Sequence, residues 1–160
     1  MTASEPAEIK NQIRITNVIY YALVTGLLLF FMVVIVLIQD KDPSTGKSID
    51  NIFTIIVPVF GLMMMFLSRM IYNQMLSKID AASSLIQKIS GYRIAKIVSW
   101  AMIEGACFFA LVVTMLTSNY LYVAVFVFLF GYFILMKPSK EYLIRDMHLN
   151  SDESDLILKS

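Results

Sequence analysis

The chain has 160 residues, of which 58% are hydrophobic and 16% charged, with a net charge of +1 and a mean hydropathy of +0.72. Soluble domains run near about 45–50% apolar and about 25% charged, and a chain this short has little interior in which to hide such an excess, so the composition points to lipid as the solvent. It excludes a disordered chain, which needs low hydrophobicity, a disulfide scaffold, since Cys107 stands alone, and a nucleic-acid binder, which needs a broad basic field.

In chain order, residues 1–17 read as a polar tail carrying Lys10 and Arg14. A first apolar stretch runs over 18–38. Cleavable secretion signals have apolar cores of about 7–15 residues and a small-residue cleavage site. Here the longer stretch runs into Gln39-Asp40-Lys41-Asp42-Pro43, so it is expected to be a retained helix. A second stretch, 52–72, holds Pro58, which removes one backbone donor and is expected to kink it, and Arg69, close enough to its end to snorkel toward headgroups.

Between 73 and 93 the chain is polar but periodic: Met75, Ile79, Ala82, Ile86 and Ile89 recur at steps of four and three, the spacing of one helical stripe. Two readings are open: a helix that binds a partner or the membrane surface, or an extension of the second helix that packs on the third helix or the tails. Gly91 is expected to end the pattern before a third stretch, 97–116. After Thr117-Ser118-Asn119 a fourth stretch covers 120–136. The four stretches hold 21, 21, 20 and 17 residues, against the roughly 17–25 that a ~30 Å hydrocarbon layer demands of a helix.

The tail from 137 opens with Lys137-Pro138-Ser139, a helix stop followed by an N-cap residue. Tyr142, Leu143 and Met147 are expected to lie on the membrane or beneath the middle segment. Asn150 with Glu153 has the spacing of a capping box for a last short helix. The acidic run Asp152, Glu153 and Asp155 reads as solvated surface. His148 is the single histidine, so no metal site and no cofactor are expected. No phosphate loop or nucleophile elbow occurs, and the chain is not expected to be an enzyme.

Eleven of the thirteen lysines and arginines fall in the two tails and the segment around 73–96, counting Arg69; Lys41 and Lys47 are the other two. The positive-inside rule then puts both termini and the middle segment in the cytoplasm. Tyr20, Tyr21, Tyr72, Tyr92, Tyr120 and Tyr122 fall near the ends of the stretches, as interfacial anchors would.

One carboxyl lies inside a stretch. Glu104 is eight residues beyond Lys96, ~12 Å along a helix. An ionised carboxylate at the bilayer centre costs at least ~2.5 kcal/mol, so Glu104 should face other helices. Counting depth from the same side brings Thr25 and Tyr132 to its level and Ser68 and Arg69 to a slightly shallower one. The expectation is one polar layer of Thr25, Ser68, Arg69, Glu104 and Tyr132. Small residues four apart, Ala101 with Gly105, Ala106 with Ala110 and Ala22 with Gly26, mark helix-packing ridges. Met63, Met64 and Met65 read as flexible packing, and Cys107 as a small buried apolar residue.

The run Ala101-Met102-Ile103-Glu104-Gly105-Ala106-Cys107-Phe108-Phe109, with Lys137-Pro138-Ser139 and Arg145-Asp146-Met147-His148-Leu149, resembles segments of small bacterial four-helix inner-membrane proteins. That resemblance covers roughly the second half of the chain and implies no activity. The Glu104 helix is also weakly similar to the carboxyl-bearing helix of rotary ATPase proteolipid subunits. In that family an embedded acid binds a proton or sodium ion, which implies an ion-binding Glu104. The glycine-repeat partner helix of that family is absent, since the second stretch offers Gly61 alone.

The expected fold is all-α: a four-transmembrane-helix bundle, up-down-up-down, with both termini cytoplasmic and an amphipathic cytoplasmic segment between helices 2 and 3. The expected role is a non-enzymatic accessory protein of a bacterial inner membrane, whose partners are the lipid bilayer and either further copies of itself or a larger membrane complex. The contrasting role is a small ion- or proton-coupled transporter using Glu104.

Overall fold

A computed structural model describes residues 5–39, 47–80 and 82–159. Asp40, Lys41, Asp42 and Pro43 of the first connection lie outside the described residues, as do the side chains of Glu5, Lys47 and Lys159. All regular structure among the described residues is helical: α1 Glu5–Ile38, α2 Lys47–Leu76, α3 Leu85–Thr117, α4 Leu121–Leu135, α5 Lys140–Asp146 and α6 Ser151–Lys159. Three of these, α1, α2 and α3, are long and apolar enough to cross a membrane. The 15-residue α4 reaches such a length only when joined to α5, which turns away from it by 77°.

The long helices overrun the apolar stretches. At 1.5 Å per residue the 34 residues of α1 span ~51 Å, well beyond a ~30 Å hydrocarbon layer. The polar tail is therefore helical from Glu5 onward. Its reason is a stripe at steps of four, three and four: Ile9, Thr16 and Tyr20 are buried and Ile13 is partly buried.

The 73–96 segment is not one helix. α2 ends at Leu76, and α3 begins at Leu85 behind a capping box in which Ser84 accepts from the Gln87 N–H and the Gln87 side chain accepts from the Ser84 N–H. The stripe Met75, Ile79, Ala82, Ile86, Ile89 is thus divided between α2, the turn and α3, which fold onto each other as a hairpin. Gly91 does not break α3, which runs through it. A Cβ there would sit 2.6 Å from Ile79 Cδ1, so the glycine is the place where the turn lies against α3.

Packing centres on α3, which touches α1, α2 and α4. Its buried residues Tyr92, Lys96, Ser99, Ile103, Ala106, Ala110, Val113 and Thr117 follow alternating steps of four and three, a coiled-coil-like seam. Ring contacts Tyr20–Trp100 at 5.2 Å and Phe30–Phe108 at 5.0 Å run α1 and α3 in one direction. Ring contacts Tyr72–Tyr92 and Phe60–Phe109 run α2 the other way. Gly61 brings α4 close to α2: a Cβ there would lie 3.1 Å from Leu129.

Two ends can be distinguished. At the basal end Ile9, Leu85, Ile89, Tyr92, Leu143 and Ile157 form a second apolar cluster, which joins the start of α1, the start of α3, α5 and α6. At the distal end the Asp50 carboxylate accepts from the Tyr122 hydroxyl at 2.5 Å and the Asn119 amide at 2.8 Å, tying the start of α2 to the α3–α4 turn. The tyrosines divide accordingly. Tyr21 and Tyr120 are exposed, whereas Tyr20, Tyr92 and Tyr122 are core residues. Tyr20 and Tyr122 are drawn in because their hydroxyls find acceptors inside, the Ile134 carbonyl and Asp50.

α3 ends on Ser118 in the left-handed region, φ 54°, with its N–H donating to the Thr114 carbonyl at 2.8 Å. The conformation costs an L residue roughly 1–2 kcal/mol, and the buried Ser118 hydroxyl has no hydrogen-bond partner among the described residues. Ser118→Gly removes both penalties and is expected to stabilise the protein by about 1 kcal/mol, measured as a rise in thermal midpoint by circular dichroism in detergent.

Candidate functional site

Two groups of polar side chains lie where the apolar helices would otherwise be uniform. The first is Glu104. The α1–α3 ring contacts above and below it place Thr25 and Gly26 at its depth. Thr25 points outward and is exposed, however, and no hydrogen bond joins Glu104, itself partly buried, to any described residue. The expected polar layer does not close. Ser68 instead bonds Ser99, hydroxyl to hydroxyl at 2.7 Å and to the Ser99 carbonyl at 3.2 Å. Arg69 is exposed and Tyr132 partly buried. The reason is register: Ser99 lies on the seam of α3, whereas Glu104 is one residue past the seam position Ile103 and borders the outer face.

The small-residue ridges divide in the same way. Ala106 and Ala110 are buried on the seam. Ala101 and Gly105 are exposed beside Glu104, and on α1 Ala22 is exposed too. A Cβ placed on Gly105 or Gly26 would meet nothing within 4 Å. These two ridges are therefore not used in packing this chain on itself.

The second group lines a basal cavity of about 680 Å³. Lys96 occupies a seam position of α3 and is 8% exposed. Its ammonium lies over the rings of Tyr72 at 4.6 Å, Tyr92 at 5.5 Å and Tyr142 at 5.8 Å. Aromatic faces attract a cation by roughly 0.5–2 kcal/mol each, but they offer no oxygen acceptor for its three N–H donors. No carboxylate pairs with it among the described residues. The Asp146 carboxylate, which also lines the cavity, accepts from Tyr72 at 2.6 Å and pairs with Arg145 at 3.1 Å. Arg145 in turn rests on the Tyr142 ring at 4.8 Å. Arg69, Asn73, Ser77, Ser99, Tyr132 and His148 add further polar side chains to the lining.

Of the residues singled out from the sequence, Arg69 and Tyr132 line this cavity and Ser68 reaches it through Ser99; Glu104 and Thr25 do not. From the sequence Lys96 reads as a loop charge and as the point from which the depth of Glu104 is counted. Its seam position, four residues past Tyr92 and three before Ser99, is the signal that marks it as inward-facing.

Beside the cavity, α6 is fastened by an ion pair. Glu153 accepts from the Lys88 ammonium at 2.7 Å, with side chains 18% and 9% exposed. Burial opposes ionisation of Glu153, but the Lys88 hydrogen bond, the Asn150 N–H and the Lys88 charge outweigh it and hold its pKa below the ordinary glutamate value. The Asn150–Glu153 capping box is formed in both directions, so the acidic run contains a structural anchor as well as surface. Ser139 caps α5 by accepting from the Tyr142 N–H.

No family model, curated protein or solved structure matches this chain. Its three long apolar helices, or four if α4 and α5 count as one bent span, are compatible with an integral membrane protein.

Proposed function

We propose that this is a four-span, non-enzymatic protein of a bacterial inner membrane, with both termini and the α5–α6 cap in the cytoplasm, acting as an accessory subunit that packs against further copies of itself or a larger membrane assembly. The observation that carries the assembly reading is the open face of α3 and α1, where Ala101 and Gly105 beside Glu104, and Ala22 beside Gly26, face outward with room above both glycines. Small residues let a second backbone approach closely, and a carboxyl among them can hydrogen-bond across helices. The topology is supported by the basal cluster, which brings Ile9 and Ile157 together, and by the excess of basic residues at that end.

The test is Gly105→Leu in the full chain, with assembly size read by native mass spectrometry after mild extraction. Because the site is open, the fold should be retained while association weakens about tenfold or more. A wild-type monomer with no co-purifying protein, or an unchanged assembly in Gly105→Leu, would overturn it. The ion-coupled reading of Glu104 is distinguished by Glu104→Gln: it requires loss of an ion-dependent flux, whereas packing tolerates the amide, which still hydrogen-bonds.

A further inference from the structure

We infer that the basal cavity is a binding site for a phosphate-bearing anion, of which the headgroup of an anionic phospholipid is the source its position favours. The inference rests on the reading that the helices cross a membrane. It starts from Lys96, a buried cation set among three tyrosine rings and the cavity, with the Asp146 carboxylate acting on its charge but forming no ion pair with it among the described residues. Burying a charge without a partner is costly, and the rings satisfy none of its N–H groups in the way an oxygen does. Arg69, on the lining of the same cavity, also has no carboxylate partner among the described residues. Two like charges on one cavity repel unless an anion lies between them.

Among the described residues the one carboxylate on the lining is Asp146, which is already engaged by Tyr72 and Arg145. The lining therefore carries Arg69, Lys96 and Arg145 against one Asp, an excess of two positive charges. A phosphate, with several acceptor oxygens, suits a guanidinium and an ammonium together. Tyr132 and Tyr142 belong to the same lining.

The cavity also has an apolar side. Leu135, 77% exposed, and Met136 line it at the end of α4, where the chain turns 77° into α5. A lining that carries both cationic and apolar side chains matches a headgroup with its acyl chains alongside. Basic pockets between spanning helices on the cytoplasmic side are where such headgroups bind.

The experiment uses the full chain in lipid nanodiscs, with unfolding followed by the fluorescence of Trp100, whose indole donates to the carbonyl of the cavity residue Met136. Discs of phosphatidylcholine alone are compared with discs containing phosphatidylglycerol, and inorganic phosphate is added to the former. Retained lipid is counted by native mass spectrometry. Phosphatidylglycerol is expected to be retained and to raise the midpoint. Arg69→Gln, at an exposed position where folding is not at risk, and Lys96→Met are each expected to weaken that retention roughly tenfold or more. Stabilisation by inorganic phosphate in the neutral discs would assign the site to a soluble phosphate, and stabilisation by the anionic lipid alone would assign it to the headgroup; both support the anion site. Equal behaviour in the two discs with no response to phosphate would overturn it, as would full retention by both variants. Failure of the chain to enter discs would count against the spanning reading instead, and the phosphate response in detergent would then decide the site.

Discussion

Trp100→Ala is expected to destabilise the protein by about 3–5 kcal/mol, the usual cost of deleting a large buried aromatic. The indole is fully buried and lies 5.2 Å from the Tyr20 ring, which stacks on Phe133 at 5.6 Å. It joins α1, α3 and α4 at one level. Its N–H also donates to the Met136 carbonyl at 3.3 Å, while the Tyr20 hydroxyl donates to the Ile134 carbonyl at 3.1 Å. Both acceptors are at the C-terminal end of α4, where helix carbonyls lack intrahelical partners. In lipid such groups must be satisfied internally. Trp100→Phe separates the two contributions: most of the packing stays and the N–H is lost, so about 1 kcal/mol is expected. Unfolding followed by circular dichroism in mixed micelles measures both. A loss below about 1 kcal/mol for alanine would show that these helices are held elsewhere.

The second large effect is at the basal cap. Glu153→Ala leaves the Lys88 ammonium buried without its partner, and removing one member of a buried pair costs roughly 3–5 kcal/mol. Because the Lys88 stem can bend its end outward, the lower figure, about 3 kcal/mol, is expected, and it should be confined to α6. Replacing both residues by apolar ones, Lys88→Met with Glu153→Leu, should recover much of it. The pH dependence has a definite sign. A carboxyl whose folded pKa lies below its unfolded value contributes fully above the unfolded value, near 4.5 here, and loses that contribution as pH falls through the folded one. The amide protection factors over 151–158 should therefore fall on acidification below pH 4.5, ahead of those of α3. Protection of α6 that is unchanged from neutral pH down to about pH 3 would contradict this.

Much of the architecture was legible because the bilayer imposes length and apolarity on whatever crosses it. Long apolar helices, the stop at Lys137-Pro138-Ser139 and the Asn150–Glu153 box all rest on local chemistry, and the structure contains each. Facing was less legible. Apolarity on every side of 97–116 removes the contrast that tells an inner face from an outer one. Ala101–Gly105 and Ala106–Ala110 are equivalent as spacings, yet only the second pair packs. Depth along a helix placed Glu104 and Thr25 at one level, but depth carries no rotation, and a layer needs both. Lys96 is less legible for a different reason: a basic residue at the edge of an apolar stretch has the same sequence signature whether it is a loop charge or a buried cation. Its steps of four and three from Tyr92 and Ser99 put it in the core seam.

The proposed four crossings, with the basal end in the cytoplasm, are tested most directly by side-specific labelling. On a Cys107→Ser background, Tyr120→Cys at the distal end and Asp152→Cys in α6, both at exposed positions, are treated on intact cells with a membrane-impermeant maleimide. Labelling of the Tyr120→Cys chain on intact cells, with Asp152→Cys reacting only after permeabilisation, is the predicted result. Labelling of Asp152→Cys on intact cells, or equal labelling of the two, would contradict it.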